Sequence, residues 1–264
     1  MTDAGVDLHD LLAVADTAVD AVVPRLAAAT DRAASVDTKS SATDMVTEFD
    51  RWSEQTLVAT IGELRPDDGF LGEEGASRDG TSGVVWVIDP IDGTTNFLDD
   101  LPGFAVSVAA RIGDDIVAGV VADPVRGERF RAVRGAGATR DGVAIRCSQA
   151  ADLATSLVAT GFSYDPERRR RQAEVLAEVI SQVRDIRRFG GAALDLCAVA
   201  CGRVDAYYER GLGAWDTAAG GLVAAEAGAL VDDRQPAGGA FVAAAPGIAD
   251  ALHPVLERAG AHSA

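Results

Sequence analysis

Two aspartates, Asp89 and Asp92, stand at the end of an apolar run that begins at Trp86. The Val and Ile residues of this run predict a buried β-strand, and unpaired carboxylates at the mouth of a buried strand are costly. Divalent cations would remove that cost, because hard cations bind carboxylate and carbonyl oxygens. Gly93 lets the backbone approach a ligand closely, and the amides that follow can point at phosphate oxygens. The segment therefore predicts a metal site next to a phosphate-binding turn.

More carboxylates occur in other apolar or glycine-rich segments. Glu73 and Glu74 follow a short apolar run, and Asp216 opens a predicted helix of small residues. Asp50 lies on another predicted helix. If these side chains converge with the first pair, their repulsion calls for about two or three divalent ions between them. Mg²⁺ suits such an all-oxygen shell, whereas zinc prefers Cys and His, and the 3 histidines lie near the chain ends. Asp216 taken alone fits a helix cap equally well.

The net charge of −17 argues against nucleic acid as a partner, because nucleic-acid binding depends on Lys and Arg neutralising phosphates. The same charge repels an anionic substrate, and bound cations would invert the local potential. The run from Arg168 to Arg171 is the main basic exception. Its position at the start of a predicted helix indicates a solvated or oligomer-facing patch.

Composition indicates a soluble globular protein of one large domain or two closely joined ones, with 264 residues and 48% apolar content. The sequence has no uninterrupted apolar stretch of about 18 residues, so no membrane span is predicted. The chain start lacks the basic and apolar segments of a secretory signal. The 3 cysteines show no ligand spacing and are interpreted as core thiols, so a reducing cytoplasm is expected.

The first half of the chain predicts two helices on a mostly antiparallel sheet. Apolar residues from Leu8 to Leu26 recur at helical spacing, and Pro24 is expected to kink or end this helix. Residues 30–43, which include Lys39, predict a mobile connection. The buried face of a second helix, which stops before Pro66, is predicted to carry Val46, Phe49, Leu57, Ile61 and Leu64. Strands separated by hairpin turns are predicted over 104–112, 115–123 and 128–133.

The second half predicts alternating strands and helices, which is typical of a layered α/β unit. Strands are predicted over 157–160, 186–189, 206–209 and 241–244, and helices over 166–184, 191–202, 215–228 and 247–259. The expected fold is a layered αβαβα sandwich of mixed α+β and α/β class. An N-terminal α+β subdomain, 1–148, would carry most metal ligands. A C-terminal α/β subdomain, 149–264, would carry Asp216 and the substrate pocket, with both halves forming one catalytic unit around a cleft.

Four motifs occur in a specific order along nearly the whole chain. They are Gly72-Glu73-Glu74, the block from Asp89 to Thr95, Gly190-Gly191-Ala192-Ala193, and the stretch from Ala206-Tyr207-Tyr208-Glu209 through Trp215-Asp216. In order and spacing this set resembles the inositol monophosphatase family, within the wider group of magnesium-dependent, lithium-sensitive phosphatases.

The resemblance implies a metal centre built from carboxylates and one carbonyl. One Mg²⁺ would be bound by Glu73, Asp89 and the carbonyl of Ile91, and a second by Asp89, Asp92 and Asp216. Glu73 with water molecules would form a third, weaker site, so about two to three Mg²⁺ are expected per active site. A shared carboxylate such as Asp89 can bridge two ions about 4 Å apart.

The resemblance also implies catalytic and substrate-binding residues. Thr94 paired with Asp50 matches the dyad that orients and deprotonates the attacking water, so hydrolysis is expected to be direct, without a covalent phospho-enzyme. The residues expected to hold the substrate are Asp92, Gly93, Thr94, Gly190, Gly191, Ala192, Glu209 and Asp216. Of these, the amides of Gly93 and Thr94 would hold the phosphate, and Glu209 would face the inositol hydroxyls.

The expected reaction is hydrolysis of inositol 1-phosphate, a small phosphorylated polyol, by a cytoplasmic, lithium-sensitive homodimer. Other monoesters stay open, because Gly191 stands where relatives often carry Ser or Thr. A carboxylate at Glu209 would also attract the ammonium group of histidinol phosphate. A haloacid-dehalogenase-like phosphatase is disfavoured, because its nucleophile loop has aspartates two apart whereas Asp89 and Asp92 are three apart. A non-catalytic role with the transcription or translation machinery also stays open, since some bacterial relatives act as its partners.

Overall fold

The computed structural model of the protein describes residues 2–3, 5–30, 36–38 and 45–262. Within them, two main β-sheets alternate with three layers of helices, which confirms the predicted αβαβα sandwich. The helices are α1 Leu8–Ala27, α2 Glu48–Leu64, α3 Thr94–Leu98, α4 Pro166–Val179, α5 Ala192–Ala200, α6 Ala214–Glu226 and α7 Pro246–Arg258. The strands are β1 Thr2–Asp3, β2 Val6–Asp7, β3 Val36–Thr38, β4 Met45–Thr47, β5 Gly69–Gly72, β6 Ser77–Arg78, β7 Val84–Asp92, β8 Ala105–Ile112, β9 Asp115–Asp123, β10 Glu128–Val133, β11 Gly137–Arg140, β12 Val143–Ala144, β13 Leu157–Thr160, β14 Asp185–Arg187, β15 Ala206–Arg210, β16 Leu230–Asp233 and β17 Ala240–Ala244. Of the helices described, none has the length and apolarity that a membrane span requires.

The larger sheet positions most of the acidic residues, and its strands follow the order β12-β11-β10-β9-β8-β7-β5-β6. Its neighbours are antiparallel except for β5 and β7, which run parallel. Helices α1 and α2 pack on one face, and α5 and α6 pack on the other. In β7, Trp86 and Ile88 belong to the first of these cores and Val87 to the second. Strand alternation therefore points Asp89, like Val87, toward the layer of α5 and α6.

The smaller sheet covers the opposite side of α5 and α6, with strand order β14-β13-β15-β17-β16. Its outer face packs against α4 and α7, where Tyr208 is buried with Val179 and Leu252. Tyr207, on the other side of the same strand, belongs to the inner core. Alternation then places Glu209 on the inner side as well. The layer of α5 and α6 thus brings residues of both sheets toward one region.

The first helix does not end at Pro24, which was expected to kink or end it. Pro24 lies inside α1, which ends at Ala27. A proline in an exposed last turn removes a single intrahelical hydrogen bond, and Leu26 beyond it is fully buried. In the predicted connection over 30–43, Val36–Thr38 is a strand paired with Met45–Thr47. Lys39 lies outside the described residues.

The second helix begins later than predicted. Val46 precedes it in β4, because Thr47 is the N-cap and accepts hydrogen bonds from the amides of Phe49 and Asp50. Leu64, predicted on the buried face, is 50% exposed. The buried face of this helix ends one turn earlier, at Ile61.

The second half follows the predicted alternation with shifted ends. The helix predicted over 166–184 ends at Val179, and the strand predicted over 186–189 is Asp185–Arg187. The edge strand Leu230–Asp233 was not predicted, because its exposed and partly acidic residues lack the alternation of a half-buried strand. The short helix Thr94–Leu98 was also not predicted. The division into 1–148 and 149–264 stays a prediction.

Candidate active site

A cavity of about 250 Å³ lies where the end of β7 meets the starts of α5 and α6. The residues of the predicted site that line it are Glu73, Asp89, Ile91, Asp92, Gly93, Thr94, Gly190, Gly191, Ala192, Glu209 and Asp216. Asp50 lies behind this wall and reaches the cavity through Thr94, to which it is hydrogen-bonded. Residues that are far apart in sequence therefore lie around one cavity.

Three carboxylates form the centre of the site. Each of Asp89, Asp92 and Asp216 offers an oxygen, and these atoms lie within 4.8 Å of one another. In a regular strand, residues three apart would point to opposite faces of the sheet. The pairing of β7 with β8 shifts register between Asp89 and Asp92, and such an irregularity re-aims side chains. The irregularity lets both aspartates face the same cavity.

Asp92 accepts hydrogen bonds from the first amides of α5. Its Oδ1 accepts from the Ala192 N–H at 3.2 Å, and its Oδ2 accepts from the Ala193 N–H at 2.7 Å. These amides have no partner within the helix, and a negative charge is favourable at a helix N-terminus. A Cβ on Gly191 would lie 2.6 Å from Asp92 Oδ2. Gly191 therefore leaves room for this carboxylate.

Asp216 lies in the first turn of α6, and the structure supports both interpretations of it. Its Oδ2 accepts a hydrogen bond from the Gly213 N–H at 2.5 Å, so it does cap the helix start. The same carboxylate belongs to the central group of three. One side chain thus has a structural contact and a place in the cavity.

Glu73 joins the group through the parallel pairing of β5 with β7. Its amide donates to the Ile88 carbonyl at 3.2 Å, which places its side chain beside Asp89. The Glu73 carboxylate is close enough to raise the pKa of Asp89. Glu74 is held differently, because its amide donates to the buried Glu54 carboxylate.

The electrostatics of the cluster favour bound protons or bound cations. Burial raises the pKa of Asp89 well above its usual range, and the nearby charges of Glu73, Asp92 and Asp216 raise it further. Burial raises the pKa of Asp92 to about 7, against the hydrogen bonds from the α5 amides. Burial also raises the pKa of Asp216 well above normal, and Asp92 and Glu73 add to it. An all-oxygen set of this charge fits hard divalent cations.

Thr94 and Asp50 form a hydrogen-bonded pair at the edge of the cluster. The Thr94 hydroxyl lies 3.1 Å from Asp50 Oδ1 and 3.1 Å from the Ile91 carbonyl oxygen. The other oxygen of Asp50 accepts from the Thr47 amide at 2.8 Å and from the Thr47 hydroxyl at 2.6 Å. Asp50 is fully buried, and this burial raises its pKa despite those hydrogen bonds. The arrangement holds one carboxylate oxygen toward Thr94.

Gly93 sets the position of Thr94 at the start of α3. It has a φ of +88°, and a Cβ there would lie 2.7 Å from the Gly103 carbonyl oxygen. Both the left-handed backbone and the close packing require glycine.

Glu209 lies on the side of the cavity formed by the smaller sheet. Its Oε2 accepts a hydrogen bond from the Tyr207 hydroxyl at 2.7 Å. A Cβ on Gly161 would lie 1.8 Å from the same oxygen, so glycine is needed at that position too. Burial raises the pKa of Glu209.

Asp195 in α5 is a cavity residue that was not predicted. It is 1% exposed, and its Oδ1 has no hydrogen-bond partner among the described residues. Burial raises its pKa well above normal, with contributions from Glu209 and Asp92. A signal was present in the sequence, because Asp195 is the single charged residue within the otherwise apolar helix Ala192–Ala200.

The stability of the metal-free protein is expected to fall as pH rises. The ordinary pKa of an aspartate is about 3.9, whereas that of Asp92 is about 7 and those of Asp89 and Asp216 are also raised. The folded state therefore holds protons that the unfolded chain releases. The contribution of these groups to stability is complete below about pH 4 and is lost as the pH rises through about 7. Bound cations would replace the protons and remove the decline.

Adding millimolar Mg²⁺ to metal-free protein is accordingly expected to raise Tm by several degrees, with a larger gain at about pH 8 than at about pH 5.5. Differential scanning fluorimetry measures this, with NaCl at matched ionic strength as the control. An equal gain at both pH values, or the same gain from NaCl, would contradict a cation site in the cluster.

Comparison with known proteins agrees with the geometry. Residues 7–263 match the inositol monophosphatase family. Inositol-1-monophosphatase of Mycobacterium bovis is 49% identical over 236 residues, which are 84% of this chain and 81% of the relative. The Nus factor SuhB of Pasteurella multocida is 44% identical over 218 residues, 80% of this chain and 82% of the relative. The solved structure of Mycobacterium tuberculosis SuhB is 41% identical, with a TM-score of 0.83, and the match covers 97% of this chain and 98% of that one. The chain belongs to the inositol monophosphatase family.

Proposed function

We propose that the protein is a Mg²⁺-dependent phosphomonoesterase that hydrolyses inositol 1-phosphate to inositol and phosphate. The observation that carries the proposal is the meeting of Asp89, Asp92 and Asp216 within 4.8 Å, in a cavity that Thr94 and Glu209 also line. Metal ligands, a polarised hydroxyl and a polyol-binding carboxylate are the groups that such a reaction needs. Membership of the family supports a phosphatase.

The proposed ligand sets follow the family resemblance and fit the donors present. Glu73, Asp89 and the Ile91 carbonyl would hold one Mg²⁺, and Asp89, Asp92 and Asp216 a second, with a third beside Glu73. Bound there, the cations would polarise the phosphoryl group and lower the pKa of bound water. The hydrogen bonds to Asp92 and Asp216 fix the orientation of both carboxylates in advance.

The proposed activation of water uses the pair of Thr94 and Asp50. With its proton directed at Asp50 Oδ1, the Thr94 hydroxyl can accept a hydrogen bond from the attacking water. The Ile91 carbonyl is an equally close acceptor, but only the carboxylate can retain a transferred proton. The raised pKa of Asp50 improves it as a base. In this scheme the oxygen of water attacks phosphorus directly while the ester P–O bond to inositol breaks, and no covalent phospho-enzyme forms. The proton of the attacking water passes through Thr94 to Asp50, and the leaving inositol oxygen takes a proton from a second water molecule.

Substrate choice is proposed to depend on Glu209. The substitution Glu209→Gln keeps an acceptor oxygen for a polyol hydroxyl but removes the charge that an ammonium group requires. We expect it to lower kcat/KM for histidinol phosphate at least about tenfold more than for inositol 1-phosphate, since hydrogen bonds to charged groups are the stronger ones. Steady-state kinetics on both substrates measure the ratio. Equal losses would remove Glu209 as the discriminating residue.

A phosphate-release assay of the purified protein tests the proposal as a whole. The substrates are inositol 1-phosphate, histidinol phosphate, adenosine bisphosphate and fructose bisphosphate, each with Mg²⁺ and with EDTA. The proposal expects the first to have the highest kcat/KM and no turnover in EDTA. Preference for histidinol phosphate would keep the chemistry and change the substrate.

A second candidate function is non-catalytic, because relatives 44% identical to this chain are named Nus factor SuhB. A role in the transcription machinery would persist in an Asp89→Asn variant that has lost hydrolysis, and a complementation assay separates the two. We further propose, from the family resemblance, a cytoplasmic homodimer inhibited by lithium. We also propose that the protein binds neither nucleic acid nor membranes.

A further inference from the structure

Three arginines line a second cavity beside the active site. Arg168 and Arg171 are three apart on α4, a spacing that puts both on one side of the helix. Arg210 at the end of β15 joins them around a cavity of about 390 Å³. The other arginines of the run are engaged elsewhere: Arg169 donates to the Ser163 carbonyl at 2.8 Å, and Arg170 pairs with Glu174.

The three charges are poorly neutralised. Within the described part of the chain, the guanidinium groups of Arg168 and Arg210 form no ion pair. Glu167 also lines the cavity and lies 3.6 Å from Arg171, but both of these side chains are exposed, so this pair contributes little. Asp165 also lines the cavity, but its Oδ1 accepts from the Arg168 amide at 2.7 Å as the cap of α4. Burial and the charges of Arg168 and Arg171 lower the pKa of Arg210.

Hydrogen bonds of Gln172 connect the two elements that carry the cluster. Gln172 donates to the Arg210 carbonyl at 3.1 Å and accepts from the Ser163 amide at 2.7 Å, which ties α4 to β15. A Cβ on Gly211 would lie 2.4 Å from Arg168 Nη1. The Arg168 guanidinium therefore lies close to the backbone at Gly211.

The arginine cavity adjoins the active-site cavity. Gly211 and Leu212 line both, and Glu209, next to Arg210 in the chain, lines the active-site side. In a chain of net charge −17, three cations without strong partners make a local region of opposite potential. Guanidinium groups bind phosphate oxygens through paired, charge-assisted hydrogen bonds.

We propose that Arg168, Arg171 and Arg210 form an anion subsite that binds a phosphate group next to the active-site cavity. Two sources share this chemistry: a second phosphate on the substrate, or free inorganic phosphate. In the first case the inference deepens the proposed function, because one phosphate would lie at the carboxylates while the other is held by the arginines. In the second case the subsite binds free phosphate and takes no part in substrate hydrolysis.

Binding of inorganic phosphate to metal-free protein tests the subsite directly. In EDTA at about pH 8 and low ionic strength, carboxylates outnumber Arg188, the one basic residue among the described residues that line the active-site cavity, so the loss of binding in the arginine variant assigns the site. We expect saturable binding in the wild type and at least about tenfold weaker binding in R168Q/R210Q. The matched control R170Q/R184Q removes the same charge from exposed arginines and is expected to bind as the wild type.

Kinetics with Mg²⁺ then identify the source. The probes are inositol 1-phosphate and inositol 1,4-bisphosphate. The measured ratio is kcat/KM for the bisphosphate divided by kcat/KM for the monophosphate. If the substrate carries the second phosphate, R168Q/R210Q lowers this ratio about 10- to 100-fold. If free phosphate is the ligand, binding is lost and the ratio is unchanged.

The subsite is overturned if wild-type protein shows no saturable phosphate binding, or if R170Q/R184Q weakens binding as much as R168Q/R210Q. Failure of the proposed function looks different. The wild type would then hydrolyse neither probe while the calorimetric result still decides the subsite.

Discussion

Replacing Asp89 with Asn is expected to lower kcat/KM for inositol 1-phosphate by at least about three orders of magnitude. Metal ions stabilise developing charge by several kcal/mol, and each ~1.4 kcal/mol changes the rate tenfold. Asp89 is the carboxylate proposed to be shared by two ions, so its loss affects both. A phosphate-release assay at saturating Mg²⁺ measures the effect. Activity within tenfold of the wild type would refute the proposed metal assignment.

The same substitution is expected to stabilise the metal-free protein. Asp89 is 1% exposed and lies among Glu73, Asp92 and Asp216, so Asn removes a group whose charged form is strongly disfavoured. Each kcal/mol gained would raise Tm by about 2–4 °C. The Mg²⁺-dependent gain in Tm should shrink in parallel.

Asp68→Asn is the matched control, because this aspartate is equally buried but paired. Its oxygens accept from Arg65 at 2.8 Å, Trp86 at 2.9 Å and Ser82 at 2.6 Å. Removing its charge is expected to cost about 1–3 kcal/mol of stability with kcat/KM within about twofold. Opposite signs of the change in Tm for the two variants would separate a repulsive site from a structural ion pair.

Thr94→Val is expected to lower kcat by about 10²- to 10⁴-fold, the usual contribution of general base catalysis. Valine keeps the shape of the side chain and removes the hydroxyl that lies 3.1 Å from Asp50 Oδ1. Thr94→Ser keeps the hydroxyl and should retain activity within about tenfold. Steady-state kinetics of the pair isolate the role of the hydroxyl.

The double variant Thr94→Val/Asp50→Asn distinguishes a relay from two separate effects. Groups that act as a unit show non-additive losses, so the double variant should be no slower than the slower single one. Asp50→Asn also weakens the cap of α2 at Thr47, at a cost of about 1 kcal/mol. Rates should therefore be measured well below the Tm of every variant. Additive losses would contradict the proton path through Thr94.

The acidic residues of the site could be predicted because the sequence alone shows that carboxylates at these positions would be energetically unfavourable without a ligand. Asp89 and Asp92 end an apolar run, where carboxylates without a ligand are unfavourable. The sequence could not show how residues three apart come to face one cavity, because that depends on the register shift between β7 and β8. It also left both interpretations of Asp216 open, and the structure supports both.

Other features depend on tertiary contacts that no local pattern encodes. Arg168 and Arg171, interpreted as part of a solvated or oligomer-facing patch, are exposed, but the sequence could not show that Arg210 from a distant strand lies beside them. Leu64 has the type and spacing of a core residue, yet the core ends before it. The edge strand Leu230–Asp233 has exposed residues and no alternation. Hydrophobic periodicity in a sequence identifies helices and strands that bury one face, and these three features do not follow that pattern.

The hydrogen bonds from α5 to Asp92 have a consequence for the thermodynamics of cation binding. A free aspartate on a loop would have to give up rotamer freedom when it becomes a ligand. Both oxygens of Asp92 are already restrained by the amides of Ala192 and Ala193. Asp92 therefore loses most of its rotamer freedom when the protein folds, and binding of a metal ion costs little further side-chain entropy.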